Sequence, residues 1–440
     1  MAARLRRQFL CLFAQEHTDL RLQELKSIIS ILNVNVTFNE ADYTNKSPFL
    51  VLSASSDEEV QSIARRSVLI KSVYQLIGRG NCYDSLKTCL MGLPTHVMEP
   101  YSKPGYTFCV RVKSFNKKLN TSYMINAIEW LSFLPFAGKV NLSEPMHEFH
   151  LLEDYGERQD KPPEHPKQIF FCKLLSIGQR HLISTYSLRT RQFIGNTSMD
   201  PLLSLVMANM AQVSPGKLVY DPFAGSGSIL IACAHYGGYV LGSDIDWTII
   251  HGRGKSSRSS SAGKWRGRHE SVRNNLSQYS LEHQYIDMMV SDVSNSVWRE
   301  KEIIDAIVTD PPYGIREGLR CIDDTLTSKE EEGQLKEIKY NLSAVIFDLL
   351  KLSARLLVKG GRLVYWLPFI GDKFDPSYIP KHPSLSLVSM SEQCLSQNFA
   401  SRWLITMEKT LQFNSSLEKD LVHPDLTPFD DFREKYFQKK

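Results

Sequence analysis

The stretch Thr309-Asp310-Pro311-Pro312-Tyr313 sets an acid, two prolines and an aromatic directly after the apolar run Ile303-Ile304-Asp305-Ala306-Ile307-Val308. The prolines stop any helix or central strand, remove two backbone donors and fix φ. What remains is a stiff turn with free carbonyls and one carboxylate, a set of acceptors suited to a ligand that brings N–H groups. Tyr313 adds a planar surface on which a ring can stack. A tight turn with no ligand would use the same prolines, so the reading depends on what else reaches this edge.

Three other acids reach it. Asp221 opens Asp221-Pro222-Phe223-Ala224-Gly225-Ser226-Gly227-Ser228, which runs into the apolar helix Ile229-Leu230-Ile231-Ala232-Cys233-Ala234. Glycines between strand and helix let the backbone approach a ligand, and a helix N-terminus offers free N–H groups to an anion. Asp244 ends the next strand about 20 residues on, where dinucleotide sites keep their ribose-binding acid. It suits that role better than Asp246. Asp292, in Val290-Ser291-Asp292, closes the following strand and is placed to hold an adenine amino group.

Two ligand classes fail on spacing. A P-loop needs a glycine five positions before Gly254-Lys255-Ser256, and Ile249 stands there. A nicotinamide fingerprint needs a third glycine, and Leu230 occupies its place. The remaining ligand with an adenosine, a carboxylate and no pyrophosphate is S-adenosylmethionine. The Asp310 turn is then the place for a methyl acceptor.

The elements that position these residues are legible as runs. KLVYDPF, YVLGSDID, IDMMVSD, IDAIVTDPP and RLVYWLPF, separated by helix-length segments, predict a doubly wound parallel α/β sheet. LSLVSMSE and RWLITMEKT predict an antiparallel edge hairpin. Earlier, RQFLCLFA, LRLQELKSIISIL, NVTF, PFLVLSAS and EEVQSIARRSVLI alternate strand and helix as a ferredoxin-like α+β layer does. A second α+β stretch follows, with TFCVRVKSF, SYMINAIEWLSFL, KVNL, HEFHLLED and QIFFCKLLS. Its last two strands are split by the polar turn Gln159–Pro166. These patterns divide the chain into 1–80, 81–180, a sheet domain over 181–412, and a polar tail over 413–440.

At 440 residues, 42% hydrophobic and 23% charged, the chain has the balance of a soluble globular protein. No window approaches a membrane span, and the short apolar stretch near the start is no secretory core. The eight cysteines are scattered with no C-x-x-C pair, which points to a reducing, cytoplasmic setting and to no metal site. A net charge of +4 hints only weakly at a polyanionic partner. The sharper hint is local. Residues 251–273 carry seven cations against the single acid Glu270, with serines, glycines and Trp265 among them. That composition predicts a loop that stays mobile until bound, suited to gripping phosphates.

Asp310-Pro311-Pro312-Tyr313 resembles the [DNS]-P-P-[YFW] motif of amino-methyltransferases, which methylate exocyclic nitrogens of nucleobases. DPFAGSGS, GSDID, TDPPYGIRE and the upstream RQFIGNTSMDP together resemble the family of eukaryotic tRNA guanosine N2-methyltransferases that act at position ten. The resemblance implies a Rossmann-like class I methyltransferase sheet behind a ferredoxin-like layer and a THUMP domain. It implies tRNA as substrate and a small zinc-binding activator subunit as partner. The implied site comprises Asp310, Pro311, Pro312 and Tyr313 for catalysis. Asp221, Phe223, Gly225, Gly227, Asp244, Asp292 and Thr197 are implied for the cofactor. Adenine-N6 or other guanine-N2 methylation of nucleic acid shares the four-residue motif, and a non-catalytic RNA-binding scaffold is the reading from another class.

Overall fold

The computed structural model describes residues 6–257, 263–314, 320–322, 337–339, 341–370, 374–396 and 400–418. They form two compact units, one of residues up to Arg21 with Leu32–Arg180, the other of Leu22–Ile31 with the chain from His181 onward.

In the first unit, strands β1 (Arg7–Phe13), β2 (Phe49–Ala54), β3 (Ile70–Gly80), β4 (Thr107–Phe115), β5 (Lys139–Val140), β6 (His147–Asp154) and β7 (Gln168–Ile177) make one sheet, ordered β2-β1-β3-β7-β6-β4-β5. Because β3 pairs with β7, the sheet is continuous across residues 80 and 81. Alternating side chains give it two cores. Phe170 and Cys172 pack with Leu10 and Phe49, while Ile169 and Phe171 pack with Phe149 and Leu86. Glu153 is fully buried and accepts hydrogen bonds from Tyr83 (2.5 Å), Tyr123 (2.8 Å) and Tyr155 (2.8 Å), which replace its water shell.

In the second unit, β8 (Leu218–Asp221), β9 (Tyr239–Asp244), β10 (Tyr285–Val290), β11 (Ile304–Thr309), β14 (Leu357–Ile370), β15 (Leu385–Ser396) and β16 (Ala400–Lys409) form a second sheet. A separate two-stranded pair is β12 (Arg320–Ile322) with β13 (Glu337–Lys339). The order of the large sheet is β10-β9-β8-β11-β14-β16-β15. Its first five strands run parallel, as apolar runs buried on both faces require, and β15 and β16 make the expected antiparallel edge hairpin. From β8 the chain winds outward through β9 to β10, then returns to place β11 and β14 on the other side. The crevice between β8 and β11 is therefore the switch point at which such sheets bind ligands.

The helices on this sheet follow composition. Pro201–Met210 is buried along its whole length and Ser228–His235 up to Ala234, as helices apolar all round must be. Asp200 caps the first of them, accepting from the N–H groups of Leu202 and Leu203. The amphipathic helix Arg21–Leu32, expected in the first layer, gives its residues 22–31 to the second unit. Ser27 Oγ donates to the Asn209 carbonyl (2.6 Å), Asn209 Nδ2 donates to Glu24 (2.8 Å), and Arg362 donates to Ser27 Oγ (3.2 Å). Amphipathic spacing predicts that a helix buries a face and is silent on which sheet receives it. Most of the expected polar tail lies outside the described residues.

The loop after β8 depends on backbone conformation. Gly225 and Gly227 have φ of 48° and 74°, and a Cβ on Gly227 would stand 2.5 Å from Val272 Cγ1. Gly227→Ala is expected to lower stability by about 1–3 kcal/mol, from left-handed strain plus the clash. A denaturant midpoint equal to that of the unsubstituted protein would show that the loop does not need this geometry.

Candidate functional site

The ends of β8, β9 and β11 and the stretch after β10 open into one cavity of about 760 Å³. Asp221, Phe223, Gly225, Asp244, Asp292, Thr197, Asp310, Pro311, Pro312 and Tyr313 all line it. Among the residues expected to bind cofactor, Gly227 alone does not, lying behind the loop against Val272.

Each acid is held differently. Asp221 is 1% exposed and accepts from Thr309 Oγ1 (2.5 Å) and from the Phe223 N–H (3.1 Å). Burial pushes its carboxyl up to about 7 against the pull of those donors, and the charges of Asp244 and Asp310 add to the rise. It joins the end of β8 to the residue just before Asp310, so one buried carboxyl ties the two loops of the crevice together. Asp244 accepts from the Gly225 N–H and from the Asp246 N–H, both at 2.9 Å. Asp292, 5% exposed, accepts from the Ser294 N–H at 2.8 Å. The upstream loop with Thr197 is fastened by Ser198, whose hydroxyl meets that of Ser226 at 2.6 Å and takes the Gly195 N–H at 2.8 Å.

These features fit S-adenosylmethionine. Left-handed glycines and the start of the helix Ser228–His235 leave room and N–H groups for a carboxylate. Asp244, a carboxylate at the end of its strand, suits ribose hydroxyls, and Asp292 suits an adenine amine.

The acceptor side holds a residue that sequence reasoning missed. Asp310 takes a hydrogen bond from the Tyr313 hydroxyl on one carboxylate oxygen and from Arg402 Nη1 (3.3 Å) on the other. Arg402 also donates to the Tyr313 oxygen (3.4 Å) and to Gln393 Oε1 (2.7 Å), and its guanidinium lies 4.2 Å from the centre of the Trp366 ring. Burial raises the Tyr313 phenol well above its ordinary value, and the Asp310 charge adds to this, so the phenol stays a donor. Burial pulls Arg402 down, but Tyr313 and Asp310 hold it above its ordinary value, so it stays charged. β16 runs antiparallel to β14, pairing Arg402 with Pro368, and this register, which no local pattern fixes, lays its first residues over the ligand edge of the parallel strands.

The basic insertion also differs from expectation. Its described arms form a small hairpin in which Lys255 bridges Trp265, the Ser256 N–H meets the Lys264 carbonyl (2.8 Å) and the Arg266 N–H meets the Gly254 carbonyl (3.0 Å). Arg258 lies outside the described residues.

Comparison with known proteins adds the following. Residues 7–180 match the family described as Tmrp11 THUMP N-terminal domain, and residues 189–330 match the RMKL-like methyltransferase domain. The chain is 44% identical over 440 residues to the tRNA (guanine(10)-N(2))-methyltransferase TRMT11 of Gallus gallus, covering 98% of this chain and 95% of that one. The Homo sapiens protein of the same name is 43% identical over 446 residues, covering 98% and 95%. That of Dictyostelium discoideum is 33% identical over 471 residues, covering 98% and 89%.

Asp244→Ala removes the partner of the Gly225 N–H and the acceptor expected to hold ribose. Hydrogen bonds to a charged group contribute about 1.5–3 kcal/mol, so S-adenosylhomocysteine should bind about 10- to 150-fold more weakly. Calorimetry giving an unchanged affinity would remove Asp244 from the cofactor site.

Proposed function

The chain belongs to the TRMT11 family of tRNA (guanine(10)-N(2))-methyltransferases, and we propose that the Asp310-Pro311-Pro312-Tyr313 turn, faced by the Asp221–Gly227 loop and Asp244, is its catalytic centre. The protein is an S-adenosylmethionine-dependent enzyme that methylates the exocyclic N2 of guanosine ten in tRNA. The observation supporting the site assignment is that one cavity holds both the strand-end acids and the proline turn.

The difficulty of the reaction lies in the amine, whose lone pair is delocalised into the guanine ring. The Asp310 carboxylate and the Pro311 carbonyl accept its two N–H bonds, which lets the nitrogen pyramidalise and aim its lone pair. Pro311 and Pro312 keep those acceptors from drifting. Tyr313 stacks on the base once it has left the helix. Bound beside Asp244 and the glycine loop, S-adenosylmethionine supplies a methyl already activated on sulfonium, so the residues mainly orient, exclude water and take the released proton at Asp310.

In the arrangement described, Asp310 already has two donors. An incoming amine joins or displaces these donors, and Arg402, held by Gln393 and Trp366, is placed to keep the carboxylate oriented as it does so. Asp310→Ala is expected to lower single-turnover methyl transfer by about 10²–10⁴-fold with both substrates saturating, and Asp310→Asn to retain part of it. Arg402→Gln should lower the rate less than Asp310→Ala, with Arg402→Lys recovering part of the loss. An Asp310→Ala rate equal to that of the unsubstituted enzyme would refute the assignment. Mass analysis of nucleosides from treated tRNA distinguishes N2-methylguanosine from an N6-methyladenosine product.

The scattered spacing of the eight cysteines, with no C-x-x-C pair, supports a reducing, cytoplasmic location, and no helix among the described residues is long and apolar enough to cross a membrane. The small zinc-binding activator that the family resemblance implies is proposed to dock on β10. This edge strand exposes Ile286 (48%) and Val290 (42%), and an exposed apolar edge is a template for another chain. Ile286→Asp with Val290→Asp should abolish co-purification with the activator, whereas Leu387→Asp on the opposite edge strand β15 should not. The reverse result would move the docking edge to β15.

A further inference from the structure

The two arms of the basic hairpin form part of the wall of the catalytic cavity, because Arg253, Lys255 and Arg266 line it together with Asp310 and Asp244. The wall is fixed by the backbone bridge and by contacts around it, and Arg266 feels the charges of Glu270 and Asp246. Arg266 donates to the Arg253 carbonyl (2.8 Å) and lies 4.9 Å from the centre of the Phe193 ring. Glu270 takes the Ser256 hydroxyl (3.0 Å) and the Gly267 N–H (3.2 Å). Asp246 accepts from the N–H groups of Thr248 and Ile249 that start its own short helix. Among the described residues, neither Arg253 nor Lys255 has an ion-pair partner, and both are exposed.

The cavity is thus divided by charge. Asp221, Asp244, Asp292 and Asp310 stand at the strand ends, and unpaired cations stand on the hairpin. A cofactor with an ammonium and a sulfonium suits the acid side, and its carboxylate has the glycine loop and a helix N-terminus. The cation side is left for a second anion. We infer that Arg253 and Lys255, with Arg266 behind them, form a phosphodiester-binding subsite that holds the RNA backbone next to the guanosine presented to Asp310. This rests on the reading of the cavity as a tRNA methylation site. Taking a base out of its stack costs a few kcal/mol, and holding its backbone at the rim offsets that cost without reading sequence.

The test uses the full-length chain with its activator, bound to tRNA at several salt concentrations, and compares Arg253→Gln/Lys255→Gln with the charge-preserving Arg253→Lys/Lys255→Arg. Two lost phosphate contacts should flatten the slope of log affinity against log salt by about 0.7–0.9 each and weaken tRNA binding roughly tenfold near physiological salt. The charge-preserving variant should keep the original slope, and S-adenosylhomocysteine affinity should be retained in both. An unchanged slope in the neutral variant overturns the subsite. A loss of S-adenosylhomocysteine affinity at an intact thermal midpoint overturns it too, by assigning the cations to the cofactor carboxylate. If the double variant unfolds, Lys255→Gln alone, whose ammonium has no ion-pair partner among the described residues, reports a change of slope in the same direction. Failure of the underlying reading looks different, since the unsubstituted enzyme would then leave no methylated guanosine in tRNA.

Discussion

Four carboxylates stand at the carboxyl edge of one parallel sheet, and their mutual repulsion is the constraint that the rest of the site answers. Like charges crowded at one edge repel one another. Here each is relieved separately. Asp221 is buried beside Thr309, and burial pushes its carboxyl up from the ordinary carboxylate range, which eases its repulsion of the others. Asp244 and Asp292 take backbone N–H donors from the loops that follow their strands. Asp310 has a guanidinium and a phenol. The glycine loop, the turn after β9 and the start of β16 owe their arrangement in part to these contacts.

The two halves of the cavity are built from different materials. The proposed cofactor half consists largely of backbone: the glycine loop, its shape held by two left-handed glycines and by the Gly225 N–H on Asp244, and a helix start. Such a surface binds what all S-adenosyl ligands share. The acceptor half consists of side chains, with Asp310, Tyr313 and Arg402 in mutual contact and Gln393 and Trp366 behind them. Side-chain arrangements change with single substitutions, so discrimination among acceptor bases belongs to this half.

Much of the fold was legible because a buried parallel strand is an apolar run, and the runs here end in Pro, Gly or Asp. IDAIVTDPP and KLVYDPF named both their strands and the loops that follow. The three site acids and Asp310 were legible for the same reason, since a strand's end fixes which edge its last residue faces. What stayed hidden depends on contacts distant in sequence. The place of Arg402 follows from the register of β16 on β14, set by residues some 35 positions apart. The attachment of Leu22–Ile31 to the second unit rests on Asn209 and Arg362, which no local pattern connects to Ser27. The basic insertion was read from composition alone, which is silent on the pairing of its arms. Gly, Ser and Arg forbid a packed core, yet a few backbone hydrogen bonds suffice to close a hairpin.

That hairpin changes how the acidic edge works on a polyanion. A cavity of carboxylates alone would repel a nucleic acid backbone, and the effect would strengthen as the site excluded water. The chain meets this with two kinds of cation. Arg402 sits inside the cavity, where pairing with Asp310 leaves it little net field for an approaching phosphate. Arg253 and Lys255 stand at the wall with no carboxylate partner among the described residues, so their field reaches outward. Pairing inside keeps the catalytic acid oriented, while unpaired charge at the wall draws in the strand that carries the base. The same residue type at either place cannot do the other's work, because a guanidinium spent on Asp310 is screened by it and an unpaired cation beside the amine would oppose the positive charge that nitrogen gains during transfer.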